Sequence, residues 1–316
     1  MNGEKMIILF NPSAGKGNAL KQKNRLEQLL SRYNVPHELV VTRSEENLKE
    51  LTRENARRGR TVVGAGGDST FHIMVGEIMK AGEHARFGMI GLGSSNDISR
   101  EFDVDTLEKA CQALKAGRVT RIDLGCISKE GTTLAYFVGQ ANIGLGAWVN
   151  RFVEELAVRS PRLGKIQSLA GALGIIRSYK AKKTPQFLTI ESEAGKIEGP
   201  FVLAVFSNIR YWATGRMINP AARPDDGRLD ACLIKSCSLP RLVRLAALSR
   251  KGRHITAREV KVLRSSEYLI SSELPFQVQA DGEIIGGRGA SAVFNKVKFT
   301  IIPQALNVIC EMGFKK

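Results

Sequence analysis

Val62-Val63-Gly64-Ala65-Gly66-Gly67-Asp68-Ser69-Thr70-Phe71-His72 opens as an apolar run and breaks into glycines, an acid and two hydroxyls before apolar residues resume. Thr61 to Ala65 predicts a buried strand and Phe71 to Lys80 a helix, so the glycines fall at a strand-to-helix turn where backbone passes close to something. The same order recurs on both sides. Lys5 to Phe10 predicts a strand, then comes Asn11-Pro12-Ser13-Ala14-Gly15-Lys16-Gly17, then a helix from Ala19 to Tyr33 with Leu20, Leu26, Leu29 and Leu30 at helical spacing. Leu39 to Thr42 predicts a second strand and Glu45 to Arg58 a second helix. Phe87 to Leu92 predicts a fourth strand, followed by Gly91-Leu92-Gly93-Ser94-Ser95-Asn96-Asp97 and a helix from Leu107 to Ala116. Strands alternating with helices predict an α/β domain with a parallel sheet and helices on both faces, its ligands at the carboxyl ends of the strands.

After Asp123 the texture becomes β-rich, in the runs Leu134 to Val138, Phe187 to Glu191, Phe201 to Phe206, Leu229 to Ile234, Phe276 to Ala280 and Val297 to Ile302. These predict a mainly antiparallel, β-sandwich-like second domain. Two helical segments interrupt it: Val149 to Tyr179, broken near Pro161, and Leu239 to Arg250, with Ser238 as cap and Pro240 in the first turn. The expected division is 1–123 for the α/β domain, 124–302 for the β-rich domain, and a return of about 303–316 to the first.

Lys and Arg exceed Asp and Glu by 47 to 31, a formal charge of +16, which favours an anionic partner. The five cysteines are scattered, odd in number and without CxxC spacing, arguing against a disulfide framework and a zinc site and for a reducing, cytoplasmic setting. His37, His72, His84 and His254 show no ligand spacing either. The N-terminal apolar run, Met6 to Phe10, is too short for a signal-peptide core, and no stretch has the apolar length of a spanning helix, so membrane contact is expected to be peripheral.

Three loops at one sheet edge each combine glycines, helix-start N–H groups and short polar side chains, the equipment that cradles phosphate oxygens. Gly-rich turns also merely connect strands to helices, but that leaves Asp68 and Asp97 unexplained. Carboxylates beside phosphate are accounted for if they hold Mg²⁺, directly or through water. GxxxxGK[ST] is absent, and GAGGDS lacks the GxGxxG spacing of dinucleotide folds.

NPSAGKG, then GGDST where GGDGT is usual, then GSSND where GTxND is usual, resemble the diacylglycerol-kinase catalytic family, which includes bacterial lipid kinases and sphingosine and ceramide kinases. The likeness continues in order through Asn142-Ile143-Gly144-Leu145-Gly146, MINPAARPDDGRLD from Met217 to Asp230, Gly252-Arg253-His254 and Asp281-Gly282-Glu283. It implies the NAD kinase/diacylglycerol kinase-like fold and an ATP- and Mg²⁺-dependent lipid kinase. By that resemblance Asn11, Thr42, the Gly66-Gly67-Asp68-Ser69-Thr70 loop and Ser94 hold the nucleotide. Asp68, Asn96, Asp97 and Asp123 form the polar network around the catalytic Mg²⁺. Asp226, with the carbonyls of Arg223 and Arg228, looks like a structural Mg²⁺ site. Glu283 is the implied general base and Asp281 its neighbour. A carboxylate placed to take a hydroxyl proton is what phosphoryl transfer to an alcohol needs, although Asp-Gly also favours an ordinary hairpin turn.

The pattern breaks in places. Ser69 replaces a Gly and would be strained if its φ were positive. Ile73, Gly76 and Glu77 stand for the family's Glu, Asn and Gly, and Gly91 for its Pro. These departures lie on the nucleotide side and spare Asp68, Thr70, Asn96, Asp97, Asp281 and Glu283.

The expectation is a kinase of a diacylglycerol-like or sphingoid alcohol, working at an anionic membrane surface, with no nucleic acid as partner. A soluble-substrate kinase of the NAD-kinase type shares the Asn-Pro and GGD elements, while PDDGRLD and the late DGE point to the lipid branch. A non-catalytic membrane- or nucleic-acid-binding protein would use the charge alone, but with 6% aromatic residues the chain has no stacking platform for bases. Lys16, Lys21 and Lys165 are candidate phosphate contacts or solvated charges. The helix Leu239 to Arg250 is either a surface helix packed on the core or a basic membrane-facing one. The sequence is silent on the lipid and on oligomeric state, although dimers occur in the resembled family.

Overall fold

The computed structural model describes residues 5–82, 85–146, 185–286 and 293–310. His84, Lys165 and the expected helix Val149 to Tyr179 lie outside them.

Strands β1 (Met6–Phe10), β2 (His37–Val41), β3 (Val62–Gly66) and β4 (Arg86–Gly91) pair in parallel, in the order β4-β3-β1-β2. Helices α1 (Asn18–Arg32), α2 (Glu45–Arg57), α3 (Asp68–Ala81) and α5 (Leu107–Ala116) cover this sheet. They lie on both faces: a Cβ on Gly88 would strike Leu114 of α5, whereas one on Gly64 would strike Phe71 and Met74 of α3. Gly88 pairs with Val63, and successive strand residues face opposite ways, so α5 and α3 lie on opposite sides. Leu26, Leu29 and Leu30 of α1 are buried as expected, but Leu20 is 58% exposed, and Ala19 takes the inward position beside it.

The second domain is β-sandwich-like. Its antiparallel core is built from β5 (Val119–Lys129), β6 (Thr132–Phe137), β7 (Gln140–Gly144), β8 (Gln186–Ser192), β9 (Gly195–Ser207), β12 (Leu229–Lys235), β13 (Val260–Ser265), β14 (Glu267–Phe276), β15 (Val278–Ala280) and β17 (Phe294–Ile309). The expected strand Phe276 to Ala280 is two strands, because β14 ends at Phe276 and β15 leaves β14 to pair with β7. Helix α6 (Leu239–Leu248) starts after Ser238, whose side chain makes no capping bond; Pro240 preorganises the first turn instead.

Two long strands cross from one domain into the other. β17 pairs with β14 in its first half and runs parallel to β4 at Asn307 and Val308, while β5 follows it antiparallel along most of its length. Their register slips between Ile302 and Leu306, where Gln304 has φ 50°. Asp123 pins that kink, its buried carboxylate accepting Gln304 N–H at 2.8 Å and Gly227 N–H at 2.6 Å.

Candidate active site

The loops after β1, β3 and β4 meet at the carboxyl edge of the parallel sheet, and much of their glycine content serves that meeting. A Cβ on Gly67 would lie 2.9 Å from the Gly93 Cα, and one on Gly93 would lie 2.5 Å from the Gly67 Cα. The two loops therefore touch backbone to backbone, which no residue with a side chain permits. Asn11 ties β1 to the same place, donating to Thr70 Oγ1 at 3.0 Å and accepting Ser13 N–H at 3.0 Å. Thr70 is buried as this strut, and Thr42 spends its hydroxyl on the Phe10 carbonyl at 3.1 Å, so their hydroxyls are committed to the frame. Ser69 and Ser94 are exposed at the loop surface.

Helix α3 begins at Asp68, three residues before the sequence expectation, with Gly67 as an N-cap that offers no side-chain acceptor. Its first-turn N–H groups therefore receive no bond from an N-cap side chain. Ser69 is helical and absent from the positive-φ residues, so the expected strain at this departure does not exist. Glu77, another departure, is buried between helices and held by Arg53 and Lys80, its Oε2 accepting Arg53 Nε at 2.8 Å and its Oε1 Lys80 Nζ at 2.9 Å.

Asp68 reaches across to a five-residue helix the sequence reading missed, α4 (Asp97–Glu101), and caps it in trans: its carboxylate accepts Asp97 N–H and Ile98 N–H, each at 3.1 Å. Asn96 precedes α4 in the left-handed region, φ 54°, with its Oδ1 on Gly93 N–H at 2.8 Å. Asp97 turns toward the second domain. It accepts Thr214 N–H at 3.0 Å and Gly215 N–H at 2.6 Å from the tip of a hairpin, β10 (Tyr211–Trp212) and β11 (Arg216–Met217). Glu101 grips the same hairpin through Arg210 N–H at 3.0 Å and Arg210 Nε at 2.9 Å. Ala213 and Thr214 have φ 48° and 69°, a strained tip that the Asp97 bonds help to hold. No sequence signal marked it, because neither residue is glycine.

Asp281-Gly282 is a two-residue hairpin turn between β15 and β16 (Glu283–Ile284), with positive φ at both positions, 46° and 96°. The hairpin and the presentation of Glu283 are one and the same device. Asp281 is buried and accepts three backbone N–H groups, from Val138 at 2.8 Å, Gly139 at 2.9 Å and Gln140 at 3.0 Å. Gln279 adds a brace by donating to the Gly282 carbonyl at 2.8 Å. Glu283 itself is half-buried. The turn faces α3: His72 Nδ1 lies 3.5 Å from Asp281 Oδ2, and a Cβ on Gly282 would sit 3.7 Å from Ser69 Oγ.

Electrostatically, Asp68 stands apart. Burial, with the Asp97 charge next and Asp281 further off, pushes its carboxyl up to about 7 despite its two amide bonds. Burial also raises Asp97, opposed by the Gly215 and Thr214 amides and by Arg100, 3.9 Å away. The Asp226 site is elsewhere. Its carboxylate accepts Arg228 N–H at 3.1 Å and the Arg264 guanidinium, and Arg223 pairs with Asp225 at 3.1 Å. None of Asp123's hydrogen bonds reaches Asp68; it belongs to the Gly227 turn beside Asp226. Asp230, in the same neighbourhood, is pushed to about 6 by burial and has an unpartnered Oδ2. No group of three or more His, Cys, Asp or Glu side chains suited to a metal occurs among the described residues.

Residues 5–127 match the diacylglycerol kinase catalytic domain, and 139–310 match the YegS C-terminal NAD kinase beta sandwich-like domain. The chain belongs to the diacylglycerol kinase catalytic family. Among relatives of this kinase family, the chain is 26% identical over 309 residues to a diacylglycerol kinase of Mycobacterium tuberculosis, covering 96% of this chain and 94% of that one. It is 23% identical over 289 residues to a diacylglycerol kinase of Staphylococcus saprophyticus, covering 88% of each. A solved diacylglycerol kinase from Bacillus anthracis superposes with a TM-score of 0.70 at 15% identity over 98% of each chain, a likeness of fold. Among the described residues of this family member, no helix is long and apolar enough to cross a membrane.

Proposed function

We propose that the protein transfers the γ-phosphoryl group of ATP to a hydroxyl of a diacylglycerol-like or sphingoid lipid. The observation that carries the reading is the meeting of two loop systems: Asp68, with its surplus charge, faces the turn that presents Glu283, and the two come from different domains. In this reading Glu283 accepts the proton of the lipid hydroxyl, and Asp281 fixes the turn through its three amides. The first-turn N–H groups of α3 and the loop Gly93 to Asn96 orient phosphate oxygens, and the hairpin clamp on α4 holds the domains so that water is kept from the reacting hydroxyl.

Mg²⁺ fits at Asp68, because a carboxyl raised by burial and then by the neighbouring Asp97 has no cation beside it among the described residues, and carboxylate oxygens suit a hard cation that keeps its waters. When bound there it supplies charge neutralisation for the phosphates. Asp226 binds Arg264, yet burial with Asp123 nearby keeps its carboxyl raised; we assign no step to a metal there.

The test is transfer of labelled γ-phosphate from ATP with Mg²⁺ into diacylglycerol, sphingosine, ceramide and monoacylglycerol, with NAD as soluble control and Glu283→Gln beside the wild type. Label in one lipid, lost in the variant, is the expected result. Label in NAD alone moves the protein to the soluble-substrate branch, and undiminished transfer by the variant removes Glu283 as base.

A further inference from the structure

The segment from residue 235 to 258 carries seven Lys or Arg and no Asp or Glu, a charge excess the reaction above leaves unused. Helix α6 buries Leu242 and Leu245 against a small core that includes Trp212 and Ile218. Its outer face shows Val243, 41% exposed, beside exposed Arg244 and Ala247. A short 3-10 turn, Ser249–Lys251, continues that face with exposed Arg250 and Lys251. Arg241 and Arg258 are engaged by Glu259, but Arg244, Arg250 and Lys251 pair with no acid among the described residues.

Below this face lies Arg216. It is half-buried and donates to the Ala246 carbonyl near the end of α6. Burial and then the Arg250 charge lower its affinity for a proton, and it pairs with no acid among the described residues. A folded chain keeps such an arrangement at a cost unless an anion completes it. The position matters as much as the sign: Arg216 belongs to the hairpin whose tip amides bind Asp97, so this face adjoins the contact between the domains, the cleft of the proposed reaction.

We propose that the outer face of α6 and the turn after it, centred on Val243, Arg244, Arg250 and Lys251, is the surface that docks on an anionic phospholipid bilayer. Exposed guanidinium and ammonium groups around a modest apolar centre match anionic headgroups over acyl chains. The cleft is then held beside the membrane from which a lipid hydroxyl must come. The inference rests on the lipid-kinase reading for what docking delivers, but its test contains no nucleotide and reads no turnover, so the two fail separately.

The test is co-sedimentation of the full chain with phosphatidylcholine vesicles and with vesicles containing roughly one-third phosphatidylglycerol. Binding is expected only to the second, and is lost at high salt as charge is screened. Each cation near an anionic surface is worth about fivefold in partitioning, so Arg244→Gln/Arg250→Gln/Lys251→Gln weakens binding roughly a hundredfold. The charge-matched control Arg32→Gln/Arg57→Gln/Arg86→Gln, exposed positions on the first domain, keeps most of it. If the triple variant loses its circular dichroism signature, Arg244→Gln alone carries the test with an expected fivefold loss. Equal binding to neutral vesicles, an equal loss in the control, or displacement from anionic vesicles by a DNA duplex at matched charge would each overturn the proposal.

Discussion

Replacing Asp68 by Asn is expected to stabilise the ligand-free protein at pH 8 while abolishing transfer. The Asp68 carboxyl sits at about 7 in the fold against an ordinary 3.8. The folded state therefore binds this proton more tightly than the unfolded chain does, and ionisation costs stability. Above pH 7 the cost is fully present, about three units at 1.36 kcal/mol each, or ~4 kcal/mol as an upper bound. It shrinks as pH falls from 7 toward 4 and vanishes below. An Asn side chain removes the charge but turns one acceptor into a donor, leaving either Asp97 N–H or Ile98 N–H unpaired, at about 1–3 kcal/mol. The net gain at pH 8 is roughly 1–3 kcal/mol. The pH-dependent part is free of that offset: between pH 8 and pH 5 the advantage of the variant falls by about 2.6 kcal/mol. At about 2 °C per kcal/mol for a chain of this size, the difference in Tm between variant and wild type should shrink by roughly 5 °C. Thermal unfolding of both proteins at pH 8 and pH 5, without nucleotide or Mg²⁺, decides the matter. A Tm difference that is the same at both pH values, or a variant less stable at pH 8, refutes the claim that Asp68 carries uncompensated charge.

Two further outcomes follow from the site. Ser69→Gly should lower Tm slightly, by the ~0.5 kcal/mol of helix propensity that Gly loses in the first turn of α3, because Ser69 is not strained; a rise of several degrees in a thermal melt would show that it is. Asp281→Asn should cost about 1–3 kcal/mol in chemical denaturation, since its amide can accept from Gly139 and Gln140 but must confront the Val138 N–H with a second donor, and an unchanged midpoint would mean that the carboxylate does not anchor the turn.

The parallel sheet was legible because β1, β3 and β4 are largely buried runs that end in asparagine or glycine, and each such end has a chemical reason to exist. What the glycines do was only half legible. Their number suggests room for a ligand, yet Gly67 and Gly93 also make room for each other, a contact between loops 26 residues apart that no local pattern encodes. Helix α4 is too short for a period of 3.6 to register, and the hairpin tip uses Ala213 and Thr214 where a turn signal would need glycine. The long strand β17 was read only in its middle, since Pro303 and the bulge beside it interrupt the alternation that continues into the first domain. Glu77 looked like a break in a motif and is a buried ion pair between α2 and α3.

The acids that the motifs bring to notice differ in how much of their charge the protein itself consumes, and this separates frame from chemistry. Asp123 gives both oxygens to backbone amides at the domain kink. Asp281 accepts three amides, while Asp226 has Arg264 and Asp97 has the hairpin tip and Arg100 beside them, although burial raises both. Each of these carboxylates joins segments far apart in the chain, and Asp97 joins the two domains. Asp68 also caps a helix, but burial and then the Asp97 charge push its carboxyl up to about 7, and unlike Asp97 and Asp226 it has no cation beside it among the described residues. The proposed reaction assigns chemistry to Asp68, where a cation is wanted, and to Glu283, which the Asp281-Gly282 turn holds half-buried. A variant of a frame acid should lose stability and activity together; a variant of Asp68 should lose activity and gain stability, and that opposition of signs is the mark of a group kept for its ligand.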